Sequence, residues 1–297
     1  MIKLLCIGDV MLDVTVQIVK NINYGSDTPS KISTHSGGAA GNVAAWAAVS
    51  GARTQIVARV GSDSAGVAVI SEFDSFGVAH KNLVIDGAQT GVVVVLVDPT
   101  GERTMFPETG ANSGLTLSDL PDLAGIEAAY LSGYALLDDR SRPGVLGMMD
   151  AMRAIDLPIF FDPATVGGMS QVPIAEIRGW LPLMSTLLMN EEEATFLTGK
   201  KNVNEALEAL LLSAPTAIIK CGSRGAIGKS RGHDVIDVPA VSTTVVDTTG
   251  AGDSFAGGYL ATWLSDRDLI ACMNAGAEVA ARCVAIVGAR PQVTTAL

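Results

Sequence analysis

Residues 247–255 read Asp-Thr-Thr-Gly-Ala-Gly-Asp-Ser-Phe and lie at the start of a predicted helix. Gly250, Ala251 and Gly252 leave the backbone open, so that its N–H groups can approach an anion closely. The helix N-terminus adds unpaired donors and a partial positive charge, which favours the ionised form of Asp253. A carboxylate beside a phosphate site makes chemical sense if it takes the proton of an attacking hydroxyl. The stretch therefore predicts phosphoryl transfer to an alcohol.

Two other stretches place small, amide or acidic residues at the start of a helix. Residues 37–44 read Gly-Gly-Ala-Ala-Gly-Asn-Val-Ala, and residues 190–193 read Asn-Glu-Glu-Glu at the end of a predicted strand. Each has a simpler explanation, which is close packing through glycine for the first and the helix dipole for the second. A helix cap and a tight turn would likewise explain residues 247–255 alone. The occurrence of all three favours a functional site.

Residues 222–230 resemble a P-loop but do not match one. The P-loop pattern has four residues between the first glycine and Gly-Lys-Ser, whereas five intervene here and no helix follows. A dinucleotide-binding Gly-x-Gly-x-x-Gly pattern also fails, because Phe255 stands at the position of the third glycine. We therefore assign the phosphate chemistry to residues 247–255 and none of it to Lys229.

The 297-residue chain has the composition of a folded protein, with 48% hydrophobic and 17% charged residues. Its formal net charge of -11 argues against nucleic acid as a partner but not against a nucleotide held by backbone donors. The cysteines lack any metal-binding or redox spacing, so we expect buried, reduced thiols at Cys6, Cys221, Cys272 and Cys283. Without a signal peptide or an aliphatic run longer than residues 92–97, the sequence predicts a soluble cytoplasmic protein without membrane contact.

The elements that must position these residues follow an α/β pattern. Strands and helices alternate from about residue 128, which favours a mostly parallel sheet covered by helices. Two polar, turn-rich hairpins at about 14–36 and 90–108 predict a small second sheet. No linker or repeat divides residues 1–297, so we expect a single domain. Buried strands are predicted at residues 4–7, 55–60, 129–132, 159–162, 186–189 and 217–220, and the last two helices at 252–264 and 269–284.

Together these motifs resemble one family, the PfkB (ribokinase-like) sugar kinases. Residues 37–44 resemble its N-terminal signature, residues 247–255 its C-terminal signature nearly residue for residue, and residues 190–193 its Asn-x-x-Glu motif. The motifs occur in the expected order and span essentially the whole chain. The resemblance implies a ribokinase-like three-layer αβα sandwich of nine or so strands. It also implies a β lid formed by about 14–36 and 90–108.

The resemblance implies a role for each matching residue in phosphoryl transfer. Asp253 would be the general base, and the backbone of Gly250, Ala251 and Gly252 would form the anion hole. The further implied ligands are Asn190 and Glu193 for Mg2+ through water, and Asp247, Thr249 and carbonyl groups of residues 284–289 for a monovalent cation such as K+, which many members bind.

Other positions match the family's residues for the acceptor and for ATP. Asp13, Gly38 and Asn42 match its sugar site, where a carboxylate suits a vicinal diol because it accepts two hydrogen bonds. A surface acid at a strand end is the alternative for Asp13. The resemblance further implies a homodimer formed through the β lid. The positions that match its nucleotide site are Asn190, Lys220, Ser223, Gly225 and Asn274.

Departures from the family pattern bear on the acceptor. Met11 stands where ribokinases carry an asparagine, and Ala39 and Ala40 replace a Lys-Gly pair. A more apolar rim suits a hexose derivative or a nucleoside at least as well as free ribose. Lys31 or Arg103 would gain importance if the acceptor already carried a phosphate. The candidates for acceptor contact in the lid are Gln17, Thr28, Lys31, Arg103 and Phe106.

Three hypotheses follow for the function. The first is an ATP- and Mg2+-dependent kinase that phosphorylates a primary hydroxyl of a small ribose- or fructose-like carbohydrate. The second is a nucleoside kinase acting on adenosine, cytidine or pseudouridine. The third is a non-catalytic protein of the same fold that senses a sugar, which the intact Asp253, Asn190 and Glu193 argue against because a sensor needs no base.

Overall fold

The computed structural model of the chain describes residues 1–81, 83–100 and 102–292. Its strands are β1 Leu4–Ile7, β2 Met11–Ile18, β3 Ser30–Gly37, β4 Thr54–Val57, β5 Val60–Gly61, β6 Val84–Ile85, β7 Gly91–Val97, β8 Arg103–Glu108, β9 Ala128–Ser132, β10 Ile159–Asp162, β11 Thr186–Asn190, β12 Thr216–Lys220, β13 Ala226–Ser230 and β14 Ile236–Val238. Its α-helices are α1 Ala39–Val49, α2 Ser64–Phe76, α3 Gly133–Leu137, α4 Arg142–Arg153, α5 Val166–Met169, α6 Ile174–Trp180, α7 Glu191–Thr198, α8 Val203–Leu210, α9 Ala251–Trp263 and α10 Leu269–Val284.

A large mixed sheet of eight described strands has the order β14-β13-β12-β11-β10-β9-β1-β4. The pairs from β4 to β12 are parallel, and β13 and β14 are antiparallel. The mostly parallel sheet is thus confirmed, with eight strands rather than nine or so. The strand expected at residues 55–60 is interrupted, because β4 ends at Val57 and β5 pairs with β6 in a separate two-stranded sheet.

Helices cover both faces of the large sheet. Leu5 and Ile7 of β1 contribute to one core with the buried side chains of α4, α6 and α8, whereas Leu4 and Cys6 contribute to the other with α1, α9 and α10. Because successive side chains of a strand point to opposite faces, a strand buried on both sides must be apolar throughout. This explains the uninterrupted apolar runs in the sequence, and it makes the architecture a three-layer sandwich.

The two polar hairpins form one four-stranded sheet of order β3-β2-β7-β8, here called the small sheet. Each hairpin is antiparallel, and β2 pairs with β7 in parallel. The expected second sheet is therefore present. Gly101, in the turn predicted between β7 and β8, lies outside the described residues.

The remaining expectations concern the cysteines and the membrane. Cys6, Cys221, Cys272 and Cys283 are buried and free, as predicted. Within the described ranges, no helix has the length and apolar character that crossing a bilayer would require.

Candidate active site

A cavity of about 1470 Å³ lies between the carboxyl ends of the parallel strands and the small sheet. Parallel strands bring the residues that follow them to one edge, where ligand sites of open α/β sheets form. The cavity therefore collects side chains that are far apart in the sequence. Those contributed by strand ends of the large sheet and by the start of α9 include Asp9, Asp162, Asn190, Lys220, Gly252 and Asp253.

Asp253 lies in the first turn of α9, and Asn42 donates a 2.8 Å hydrogen bond to its carboxylate. Gly250 caps the helix with φ 75°, and a Cβ atom there would lie 2.6 Å from the Cβ of Ala289, so only glycine fits. Burial raises the pKa of Asp253 to about 7, helped by the charge of Asp162 and opposed by the Asn42 hydrogen bond. The helix dipole alone does not decide its ionisation, contrary to the sequence expectation.

Lys220 brings a buried positive charge to the same place. Its ammonium pairs with Asp162 at 2.5 Å and lies 3.0 Å from where a Cβ of Gly252 would be. Burial opposes the charged lysine, but the carboxylates of Asp162 and Glu193 outweigh burial, so the pKa of Lys220 is raised. A cation thus lies directly under the backbone turn that was predicted to bind phosphate.

Asp162 is a site residue that the sequence analysis missed. It ends β10, is 5% exposed, and also accepts a 3.0 Å hydrogen bond from the backbone N–H of Ala164, whose φ is 75°. A polar residue ending an apolar strand was a usable signal, because that position falls at the edge of the parallel sheet where the site forms.

Asn190 and Glu193 form a capping box at the start of α7. The Asn190 backbone and amide each donate a 2.8 Å hydrogen bond to Glu193, and the Glu193 backbone donates one of 2.9 Å to the Asn190 side chain. Burial raises the pKa of Glu193 to about 7, helped by Asp162 and opposed by Lys220. Both residues line the cavity, and the charge of Glu193 acts on Lys220.

The predicted acceptor residues separate into two groups. Asp13 and Gly38 line the cavity, whereas Asn42 is buried behind Asp253 and does not line it. Burial raises the pKa of Asp13 to about 6, and the charge of Arg290 opposes this shift. Asn42 therefore contacts the carboxylate of Asp253 instead of the cavity, so its structural role is to orient that group.

Arg290, another residue that the sequence analysis missed, holds Asn42 in place. It donates hydrogen bonds to the Asn42 side chain at 3.2 Å, to Glu72 at 2.8 Å and to the carbonyl of Gly37 at 2.7 Å. Because Arg290 takes the oxygen of the Asn42 amide, the amide nitrogen points to Asp253. The Arg290 side chain is 3% exposed, so this chain of contacts is shielded from water.

The small sheet presents one face to the cavity, and that face is chemically divided. Asp13 lies in register between His35 on β3 and Val93 on β7, and Thr15 lies beside Val95. The β2 and β3 half is thus polar apart from Met11, which also lines the cavity, and the β7 and β8 half is mainly apolar. The cavity-lining side chains of that second half are Val93, Val95, Val97, Arg103, Met105 and Pro107.

Four of the five lid candidates do not line the cavity. Lys31 is exposed, Gln17 and Thr28 lie outside the lining, and Phe106 is 54% exposed on the opposite face of the small sheet. Arg103 does line the cavity, but its guanidinium is already bound to Asp247 and Thr249.

The predicted nucleotide residues are mostly together. Ser223 and Gly225, in the loop after β12, line the cavity with Asn190 and Lys220. Asn274 is exposed on α10 and does not line it. Asn274 lies on the same face of α10 as Ala281 but two helical turns before it. The part of α10 that reaches the cavity carries Ala277, Ala280, Ala281 and Val284.

Asp247 precedes the turn and is held by several donors. Its carboxylate accepts hydrogen bonds from the backbone of Thr249 at 2.8 Å and of Gly288 at 3.1 Å, and it pairs with Arg103 at 2.6 Å. Burial opposes ionisation, but the hydrogen bonds from Thr249, Arg103 and Gly288 outweigh burial and lower the pKa of Asp247 to about 2.

Known proteins share this fold and these motifs. A model of the pfkB family of carbohydrate kinases matches residues 1–296. The aminoimidazole riboside kinase of Salmonella typhimurium is 30% identical over 234 residues, which are 76% of this chain and 73% of the relative. A ribokinase of Arabidopsis thaliana is 27% identical over 304 residues, 97% of this chain and 77% of the relative. The structure of adenosine kinase from Sinorhizobium meliloti matches with a TM-score of 0.88 at 26% identity, covering 98% of this chain and 96% of that one.

These likenesses establish a phosphotransferase with an alcohol group as acceptor, built on the ribokinase-like fold. The family match leaves out a single residue, so this chain belongs to the pfkB family of carbohydrate kinases. The resemblance and the fold class predicted from the sequence are confirmed.

Replacing Arg290 by methionine tests whether it stabilises the site. Arg290→Met leaves the Gly37 carbonyl and the Asn42 amide oxygen without their donor and Glu72 without its partner. We expect the free energy of unfolding to fall by about 3–5 kcal/mol in urea titrations, with an unchanged m-value. The control is Arg153→Met, whose exposed side chain has only a 4.0 Å contact with Asp150 and should cost less than about 0.5 kcal/mol. Equal losses in both variants would contradict the structural role of Arg290.

Proposed function

We propose that this chain transfers the γ-phosphoryl group of ATP to a primary hydroxyl of a sugar or riboside. The observation that supports this most is the position of Asp253 at the N-terminus of α9, directly beside Gly252 and the Lys220 ammonium. Donors for a phosphoryl group and a base for a hydroxyl thus share one turn. Phosphoryl transfer needs little more than such positioning and charge stabilisation.

Asp253 acts as the general base in this proposal. With a pKa of about 7 its carboxylate is poised near neutral pH, where a base combines sufficient ionisation with sufficient proton affinity. The backbone N–H groups of Gly250 and Gly252 and the Lys220 ammonium stabilise the charge on the transferring group. The Ala251 N–H, expected to join them, donates a 3.3 Å hydrogen bond to the Thr248 carbonyl. Asn42 holds Asp253 in the orientation needed to accept the proton.

ATP binds in the part of the cavity beyond that turn. The loop after β12 carries Ser223 and Gly225 for the phosphates or ribose, and the alanines of α10 form an apolar wall suited to a base. Among the described residues no group of three or more His, Cys, Asp or Glu side chains is arranged to hold a metal directly. Bound Mg2+ would neutralise phosphate charge, held through water by Glu193 and Asn190 and by the phosphates themselves.

The acceptor that the small sheet fits best is a riboside. Asp13, His35 and Thr15 on the polar half suit sugar hydroxyls, whereas Val93 and Val95 on the other half would gain nothing from a free sugar. An apolar or planar group attached to the sugar would cover them. The likeness to an adenosine kinase and to an aminoimidazole riboside kinase agrees with this choice. Ribose- or fructose-like sugars are the second candidates.

Asp253→Asn tests the base. The amide keeps the size of the side chain but cannot take a proton, so turnover measured by ADP release should fall by a factor on the order of 10³. Binding of a non-hydrolysable ATP analogue should persist. Near wild-type turnover would remove Asp253 from this role, and ligand binding without turnover in the wild type would favour a sugar sensor.

A thermal-shift panel of nucleosides and free sugars, with and without the ATP analogue, tests the acceptor class. We expect nucleosides to raise the unfolding temperature. Val95→Thr should raise the dissociation constant of the nucleoside about tenfold, because the bound ligand would strip water from the new hydroxyl group. Val94→Thr is the matched control, since residue 94 lies on the other face of the small sheet. Stabilisation by ribose or fructose alone would reverse the order of the two candidates.

The pH profile tests the environment of Asp253. The ionised carboxylate is the active form, so kcat/KM should rise with pH and level off above about 7. The Asn42 hydrogen bond lowers this pKa, so Asn42→Ala should move the inflection to higher pH. Asn274→Ala, outside the cavity, is the matched control. An unmoved inflection in Asn42→Ala would assign the titration to another group, such as Glu193.

We also propose that two copies associate through the outer face of the small sheet. Ile32 is 67% and Phe106 is 54% exposed there, and both lie on a face that carries further valines. Paired exposed apolar side chains of this kind favour a self-complementary contact. Light scattering should give a dimer mass for the wild type and half of it for Ile32→Asp/Phe106→Asp. A monomeric wild type would refute the proposal.

A further inference from the structure

Arg103 connects the small sheet to the segment that leads into the phosphate-binding turn. It begins β8, yet its guanidinium pairs with the Asp247 carboxylate at 2.6 Å and donates to the Thr249 hydroxyl. Asp247 and Thr249 lie 144 and 146 residues further along the chain. They are also the two side chains expected to bind a monovalent cation. Arg103 therefore donates to the oxygen atoms that such a cation would need as ligands.

Two of the backbone carbonyls expected to bind the cation already accept hydrogen bonds. The Val284 carbonyl accepts hydrogen bonds from the backbone of Val246 at 2.7 Å and of Asp247 at 3.2 Å. The Ala289 carbonyl accepts the indole N–H of Trp46 at 2.8 Å. A monovalent cation would also need the side-chain oxygens of Asp247 and Thr249, to which Arg103 already donates. The residues present therefore do not fit K+ at this position.

The guanidinium group of Arg103 is well suited to bind Asp247 and Thr249 at the same time. It is planar, permanently charged and presents several donors in a fixed fork, so one side chain can bind a carboxylate and a hydroxyl together. Thr249 is directly followed by Gly250, whose φ of 75° sets the start of α9. Fixing Thr249 and Asp247 consequently fixes the geometry of the turn at Gly250, Ala251 and Gly252.

We propose that Arg103 replaces the monovalent cation in this chain, so that its phosphoryl transfer is independent of K+. The inference rests on the proposed function for its kinetic part only. Arg103 is a positioning residue, because it acts through Asp247 and Thr249 on the turn that binds the phosphate. Its place on β8 also makes the turn dependent on the position of the small sheet.

The test compares KCl with choline chloride at equal ionic strength, using unfolding temperature and turnover. The wild type should respond equally to both salts. Arg103→Met removes the charge but keeps much of the stem, so turnover should fall about tenfold in choline chloride. K+ should then raise both turnover and unfolding temperature of this variant, because a vacated anionic site can bind it. Arg103→Lys keeps the positive charge but loses the fork, so it should stay unresponsive to K+ while its turnover falls below that of the wild type.

Lys31→Met is the matched control, since Lys31 is an exposed cation of the same sheet outside the cavity. Stabilisation or activation of the wild type by K+ would overturn the proposal. An Arg103→Met variant that gains no response to K+, or that equals the wild type in choline chloride, would overturn it as well. The unfolding measurement needs no acceptor, so it holds even if the proposed acceptor class is wrong.

Discussion

The buried ammonium of Lys220 is the interaction on which the site depends. It pairs with Asp162, lies near Glu193 and Asp253, and approaches the backbone at Gly252. Without it, three carboxylates would share a poorly solvated space with an incoming phosphate. One cation does not neutralise them all. Burial, helped by the remaining excess of negative charge, raises the pKa values of Asp253 and Glu193 to about 7. The same excess favours a site for a divalent cation.

Two arginines extend this arrangement to distant parts of the chain. Arg290 orients Asn42 and through it the carboxylate of Asp253, and Arg103 holds Asp247 and Thr249 in front of the turn. Each guanidinium binds several acceptors from separate segments, which a single hydrogen bond could not do. The turn is thus held from two sides, and the small sheet is linked to it by charge.

Successive side chains in each strand of the small sheet point to opposite faces, so the two faces have different surroundings. Odd-numbered residues of β2 and β7, such as Asp13 and Val93, face the cavity, whereas Phe106 of β8 faces outward. A period of two residues therefore gives the small sheet one face that lines the cavity and one face that points away from it. The polar and apolar halves of the inner face arise because the two hairpins meet side by side.

The sequence by itself determined the α/β architecture and the second sheet, and it predicted phosphate chemistry at residues 247–255. These depend on local patterns: apolar runs for buried strands, turn residues for hairpins, and small residues before a helix. It also singled out Asn190 and Glu193, which line the cavity, because a capping box is a local motif. Only the tertiary structure decided that Asn42 contacts Asp253, that Asn274 lies outside the cavity, and that Arg103 binds Asp247. Those facts depend on contacts between residues more than a hundred positions apart, or on where a helix meets a cavity, and local patterns do not encode either.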